Sequence, residues 1–135
     1  MADHRVHVID PWQVQGRGEI GPFPFEQFHA AILAQGDSWF SVGAFPPQFT
    51  SNIPLQLSLG QSAVVVDCAR PGHVLQHMTS TTTDAMFLRL LRGPLARKWH
   101  AIMVSGGGND LIDAVGVPAT APANQRLLAA PAERP

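Results

Sequence analysis

At 135 residues the chain is long enough for one domain, and its 45% apolar content supplies an ordinary core while charged residues stay sparse at 14%. A net charge of −1 argues against a nucleic-acid surface, since phosphate binding needs a basic stripe. No apolar run reaches the length of a membrane span, and the opening Met1-Ala2-Asp3-His4-Arg5 has no apolar secretory core, so a cytoplasmic protein is expected. Cys68 is the only cysteine, which excludes a disulfide within the chain.

In chain order, residues 1–28 read as an irregular arm. Pro11, Gly16, Gly18, Gly21, Pro22 and Pro24 interrupt it too often for a regular element, and Trp12, Phe23, Phe25 and Phe28 anchor it on the body. Residues 29–35 form the first expected strand, and Gly36-Asp37 turns the chain. Residues 38–45 read as a loop or a helix start, cut off by Pro46-Pro47. Thr50 or Ser51 can cap a helix from Asn52 to Leu59, with Pro54 in its first turn. Residues 63–68, Ala-Val-Val-Val-Asp-Cys, are apolar without alternation, as in a parallel strand covered on both faces.

A short helical stretch is expected at 73–78. A stronger helix runs from Ala85 to Arg92, capped by Thr83 or Asp84, with Phe87, Leu88 and Leu91 on one face. Gly93-Pro94 ends it, and Leu95 to Trp99 resumes a turn. Residues 101–104 form the third strand, and another helix starts over Leu111 to Val115. Residues 29–115 are thus the folded body. The Ala- and Pro-rich stretch 116–135 lacks the bulky side chains that offset ordering entropy and reads as a disordered tail, with Leu127-Leu128 making at most one local contact. The β-α-β-α-β-α order predicts an α/β fold with parallel strands, right-handed crossovers and helices on both faces.

Three strand ends carry the chemistry. Ser38 follows Gly36-Asp37, where a hydroxyl at the carboxyl end of a strand is well placed for reaction. Gly72 follows the second strand in Asp67-Cys68-Ala69-Arg70-Pro71-Gly72, and Ser105-Gly106-Gly107-Gly108-Asn109-Asp110 follows the third. Taken together, Gly36-Asp37-Ser38, Gly72 and Gly107-Gly108-Asn109-Asp110 resemble the first three motif blocks of the SGNH (GDSL-type) hydrolases, over roughly residues 30–114. The resemblance implies a three-layer α/β/α, flavodoxin-like parallel sheet of family order 2-1-3-4-5, of which the first three strands are visible. It implies Ser38 as nucleophile and the Ser38 N–H, the Gly72 N–H and the Asn109 amide as oxyanion hole, with Gly36, Asp37, Gly107, Gly108 and Asp110 in support. The G-x-S-x-G elbow of the α/β-hydrolases does not fit, because Phe40 stands at its second glycine.

The departure from the family lies in its last block. No Asp-x-x-His occurs, and the last histidine, His100, precedes the third block. A serine hydroxyl without an adjacent base is a weak nucleophile. The expectation is therefore an ester hydrolase domain, cut short and feeble or inactive alone, that takes a small-molecule ester and no cofactor or metal. Two alternatives stand beside it. One is a non-catalytic module holding a small anion at the same strand ends. The other is a fragment completed by a partner chain, or by self-association, along the open edge at 101–104.

Each motif also has a plainer reading. Ser38 can be a helix cap, the glycine cluster a flexible turn, and Asn109-Asp110 a cap for the helix that follows. His73 and His77 have metal-ligand spacing but lack the zincin glutamate, and two exposed histidines on a helix are expected. His73, beside Gly72, is also a candidate substitute base. Cys68 is expected to pack as a small apolar residue. Trp39 and Phe40 either line an acyl pocket or belong to the core, where Phe87, Leu88, Leu91 and Met103 are also placed.

Overall fold

The run Ala30-Ala31-Ile32-Leu33-Ala34-Gln35 has no turn former and no charge, and it becomes the central strand of a parallel sheet. The computed structural model describes residues 4–37, 39–41, 52–82, 85–111, 120 and 122. Its strands are β1 (His4–Arg5), β2 (His7–Ile9), β3 (Ala30–Gln35), β4 (Ser58–Leu59), β5 (Ala63–Asp67) and β6 (Ala101–Val104). The α-helices are α1 (Ile53–Gln56), α2 (Leu75–Met78) and α3 (Ala85–Arg92), and single 3₁₀ turns occupy Pro11–Gln13 and Phe25–Gln27. Four strands form one sheet in the order β2-β5-β3-β6, all neighbours parallel. The chain has the α/β fold expected of it. A two-stranded antiparallel ribbon, β1-β4, pairs separately from that sheet.

All six residues of β3 are buried. Leu33, Val64, Val65 and Val66 are shielded completely. Each such side chain stabilises the fold by about 1.5–3 kcal/mol relative to exposure. Because side chains alternate across a strand, β3 and β5 feed two separate cores. Leu33, Val64 and Val66 join Ile9, Phe25 and the α3 residues Met86, Phe87 and Leu90 on one face. Ile32, Ala34 and Val65 join Val6, Phe40 and the partly buried Leu57 and Leu59 on the other.

Several elements differ from the sequence reading. The stretch expected to be irregular contributes β2, which extends the sheet beyond β5. Its three residues are short for recognition by pattern, and tertiary pairing decides them. In the segment 52–59, helix stops at Gln56 and Ser58-Leu59 turns into strand. Asn52 is the cap there, its Oδ1 accepting from the Leu55 N–H at 2.9 Å. Thr50, Ser51, Thr83 and Asp84 lie outside the described residues, as do all but two residues beyond Leu111. In α3 the buried stripe is Met86, Phe87 and Leu90, with Leu88 and Leu91 half-buried at its margins.

At the amino end of the sheet, His100 lengthens the β3–β6 ladder. Its N–H donates to the Ala31 carbonyl at 2.9 Å, and its Nδ1 accepts from the Ala31 N–H at 3.0 Å. The outer edge of β6 has no strand partner among the described residues, and Ile102 and Val104 are 49% and 64% exposed.

Leu33→Ala is expected to lower the unfolding free energy by about 2–5 kcal/mol in urea titrations, the cost of a cavity in a fully packed core. Ile20→Ala, at an exposed position, is expected to stay within about 0.5 kcal/mol of the parent chain.

Candidate functional site at the carboxyl edge of the sheet

In parallel sheets ligands gather beyond the carboxyl ends of the strands, where the chain direction switches sides. Here β3 leads to β5 on one side and β5 leads back to β6 on the other, so the switch falls between the loops after β3 and β6. The register sets Gln35 opposite Val104, and the chain leaves both strands at the same level. The Ser105 N–H donates to the Gln35 carbonyl at 3.0 Å. Ser105 Oγ then donates to Asp37 Oδ1 at 3.2 Å, joining the two loops across the switch point.

Asp37 is buried and is held from both sides. Its Oδ1 also accepts from the Trp39 N–H at 3.2 Å, and its carbonyl accepts from the N–H groups of Phe40 and Ser41 at 3.1 and 3.0 Å. This is the local side-chain and turn pairing that Asp favours after a strand. Ser38 lies outside the described residues, but both its neighbours face the glycine-rich turn. A Cβ on Gly108 would sit 3.6 Å from Asp37 Oδ2 and 3.8 Å from Trp39 Nε1. Gly36 approaches β6 so closely that a Cβ there would come within 2.9 Å of the Ser105 carbonyl oxygen.

The third loop arrives alongside. The Cys68 and Arg70 N–H groups donate to the Ala34 and Gly36 carbonyls at 2.9 and 3.1 Å, so the chain after β5 runs past the end of β3. It turns at Gly72, whose φ of +75° is natural to glycine and costly for other residues. The space around Gly72 is open on the Cβ side. One residue further, the His73 carbonyl accepts from Asn109 Nδ2 at 2.9 Å. Asp110 accepts from the Leu75 N–H through both carboxylate oxygens, at 3.3 and 3.0 Å. Residues 108–111 form a single helical turn, entered through Gly107 at φ +94°. Gly36, Asp37, Gly72, Gly107, Gly108, Asn109 and Asp110 therefore stand in three loops that touch one another. Asn109 has one of its two amide hydrogens committed to His73 and one remaining.

Two residues that sequence reasoning did not single out hold this arrangement. Gln35 is buried, accepts from the Gly36 N–H at 3.0 Å and donates to the Met78 carbonyl at 3.2 Å, tying β3 to α2. Its signal is a lone amide closing an apolar strand, which must find partners when buried. Ser105 has a weaker signal, a hydroxyl before glycines.

The histidine pair is not the pair of exposed helical side chains expected. His73 precedes α2 rather than lying on it and is buried, while His77 is exposed. Their rings meet edge to face with centroids 6.0 Å apart. His7, His29 and His100 stand at the amino ends of β2, β3 and β6, so His73 and His77 are the histidines that the fold sends to the carboxyl edge after β5. No three His, Cys, Asp or Glu side chains gather as a metal site among the described residues. Of the aromatic pair, Phe40 is core and Trp39 faces solvent. Cys68 is buried in the core beneath α3, and Met103 is half-buried.

Asp67 ends β5 on the far side of the switch point. Burial pushes its carboxyl up to about 6. The Ala69 N–H at 2.9 Å works against that rise, and the negative charge of Asp10 at the end of β2 reinforces it. Compared with family models, with curated proteins and with solved structures, the chain matches none.

Because the folded state raises the Asp67 pKa from 3.8, the protonated form supports the fold fully below about pH 4, and that support is lost as pH rises through about 6. Asp67→Asn keeps an acceptor for Ala69 and has no charge to bury. Its thermal midpoint is expected to exceed that of the parent chain at pH 7 and to vary less between pH 4 and 7, as followed by circular dichroism.

Proposed function

We propose that the carboxyl edge of the sheet is an acyl-transfer site of the SGNH (GDSL) type, acting on small-molecule esters through Ser38. The observation that carries this reading is the meeting of the three motif loops: Ser105 on Asp37, Gly108 against Asp37 and Trp39, and Asn109 on the residue after Gly72. The spatial order β5-β3-β6 supports it as well, since in chain order these strands read 2-1-3, the start of the family's 2-1-3-4-5 sheet. We extend the proposal to the three-layer flavodoxin-like architecture that goes with that order.

On this reading Ser38 Oγ adds to the ester carbonyl carbon. The negative charge that develops on the carbonyl oxygen is met by the Ser38 and Gly72 N–H groups and by the remaining Asn109 amide hydrogen. The C–O bond to the alcohol then breaks, the alcohol leaves with the serine proton, and water releases the acid from Ser38. The sequence holds no Asp-x-x-His to carry that proton. Within these residues His73, beside Gly72, is the candidate substitute base. An activated alkyl phosphonate, which needs less help from a base, is expected to form a Ser38 adduct detectable by mass spectrometry and absent in Ser38→Ala. Asn109→Ala is expected to slow adduct formation by about a hundred- to a thousandfold. No adduct, or saturable acetate binding that Ser38→Ala leaves intact, would favour the non-catalytic anion module.

The outer edge of β6, apolar and without a strand partner among the described residues, favours a second element of the proposal, completion of the sheet by another chain or a second copy. Sedimentation velocity is expected to show a concentration-dependent oligomer that Val104→Lys disperses. A stable monomer at high concentration removes this element.

A further inference from the structure

The net charge of −1 conceals a segregated distribution. Four of the nine lysines and arginines, Arg89, Arg92, Arg97 and Lys98, fall within ten residues. No aspartate or glutamate occurs between residues 85 and 109, so the other five cations share the rest of the chain with all ten carboxylates. All four of the clustered residues are exposed. Arg89 and Arg92 stand in the last turn of α3, where the helix dipole favours positive charge. Arg97 and Lys98 lie beyond the helix, and the dipole gives no reason for them.

The fold gathers the four. The Arg89 carbonyl accepts from the Gly93 and Leu95 N–H groups at 3.1 and 3.2 Å, and the Ala96 N–H donates to the Gly93 carbonyl at 3.0 Å. Trp99 Nε1 donates to the Leu90 carbonyl at 2.8 Å. Residues 93–99 are thereby folded back on the end of α3, before His100 joins β3 at the amino end of the sheet. The patch thus stands at the opposite end of the sheet from the candidate site. The Arg97 guanidinium carbon lies 3.5 Å over the Phe25 ring and 5.7 Å from the centre of the Trp99 ring. Glu26, beside Phe25, is the carboxylate whose charge reaches Arg97 among the described residues.

These features select a partner. Arginine forks match the paired oxygens of a phosphate. A guanidinium held on an aromatic ring is a flat cation, and nucleobases stack on such planes. No large apolar side chain of residues 89–99 is exposed, so the patch has nothing to insert into a bilayer. We propose that Arg89, Arg92, Arg97 and Lys98 form a binding surface for single-stranded nucleic acid, with phosphates on the cations and a base on Arg97. This surface is independent of the acyl-transfer reading.

Fluorescence anisotropy tests it, with labelled twelve-nucleotide oligouridine and oligothymidine titrated with the full chain. The association constant is expected to fall with salt along a logarithmic slope of about −3, as for four neutralised phosphates on a single strand. Arg92→Gln combined with Lys98→Gln is expected to reduce that slope by about 1.4. Arg97→Lys keeps the charge and loses the plane, and is expected to weaken binding at least about fivefold at an unchanged slope. Glu26→Gln is expected to tighten binding by up to about fivefold, a gain that a damaged fold cannot produce. Tighter binding of either strand supports the proposal and tells RNA from DNA. No binding at low salt, or a slope that the double variant leaves unchanged, overturns it. Inorganic polyphosphate bound as tightly as the oligonucleotides, with no effect of Arg97→Lys, shows a surface for charge alone and also overturns it. Binding to phosphatidylserine vesicles without oligonucleotide binding assigns the patch to a membrane instead.

Discussion

The site depends on the burial and double pairing of β3. This strand hydrogen-bonds β5 on one side and β6 on the other, and every one of its side chains is out of water. Parallel pairing on both sides brings the ends of all three strands to one edge at nearly one level. The loops that follow therefore start side by side, and that registration brings Asp37 and Ser105 within hydrogen-bond reach. A slip of one residue would turn Leu33 and Ile32 to the wrong cores and separate Gln35 from Val104.

Beyond the sheet, the loops are fixed by polar groups that the edge can no longer pair. Gln35 closes β3 by hydrogen-bonding the next backbone N–H and a carbonyl of α2. Asp37 takes Ser105, and Asp110 takes the first N–H of α2. Each removes an orphan group left by the end of an element. Together they make the carboxyl edge a small polar network that ties the loops after β3 and β6 to each other and to α2.

Much of this was legible in the chain itself. The unbroken apolar runs at 30–34 and 63–66 announce strands covered on both faces, and the structure buries them completely. The glycine and aspartate punctuation at 36–37, 72 and 106–110 marks the turns, because those residues tolerate φ values and side-chain-to-backbone pairing that others do not. Less visible were β2 and the β1–β4 ribbon, whose few residues carry no periodic signal and become strand only because β5 and Leu59 offer partners. The depth of His73 was likewise hidden. A helical spacing of four implied two solvent-facing rings, yet α2 begins only after His73.

The sequence by itself determined the α/β class, the three principal strands and the three motif loops, since periodicity and turn chemistry are local properties of neighbouring residues. The tertiary structure decided which loops touch, because only strand order and register bring residues 37, 73 and 105–110 to one edge. It decided also that Trp39 faces water while Phe40 is buried, and that Asn109 shares its amide with the loop after β5. Those outcomes turn on what lies opposite each side chain in space, and nothing in the linear order of residues records it.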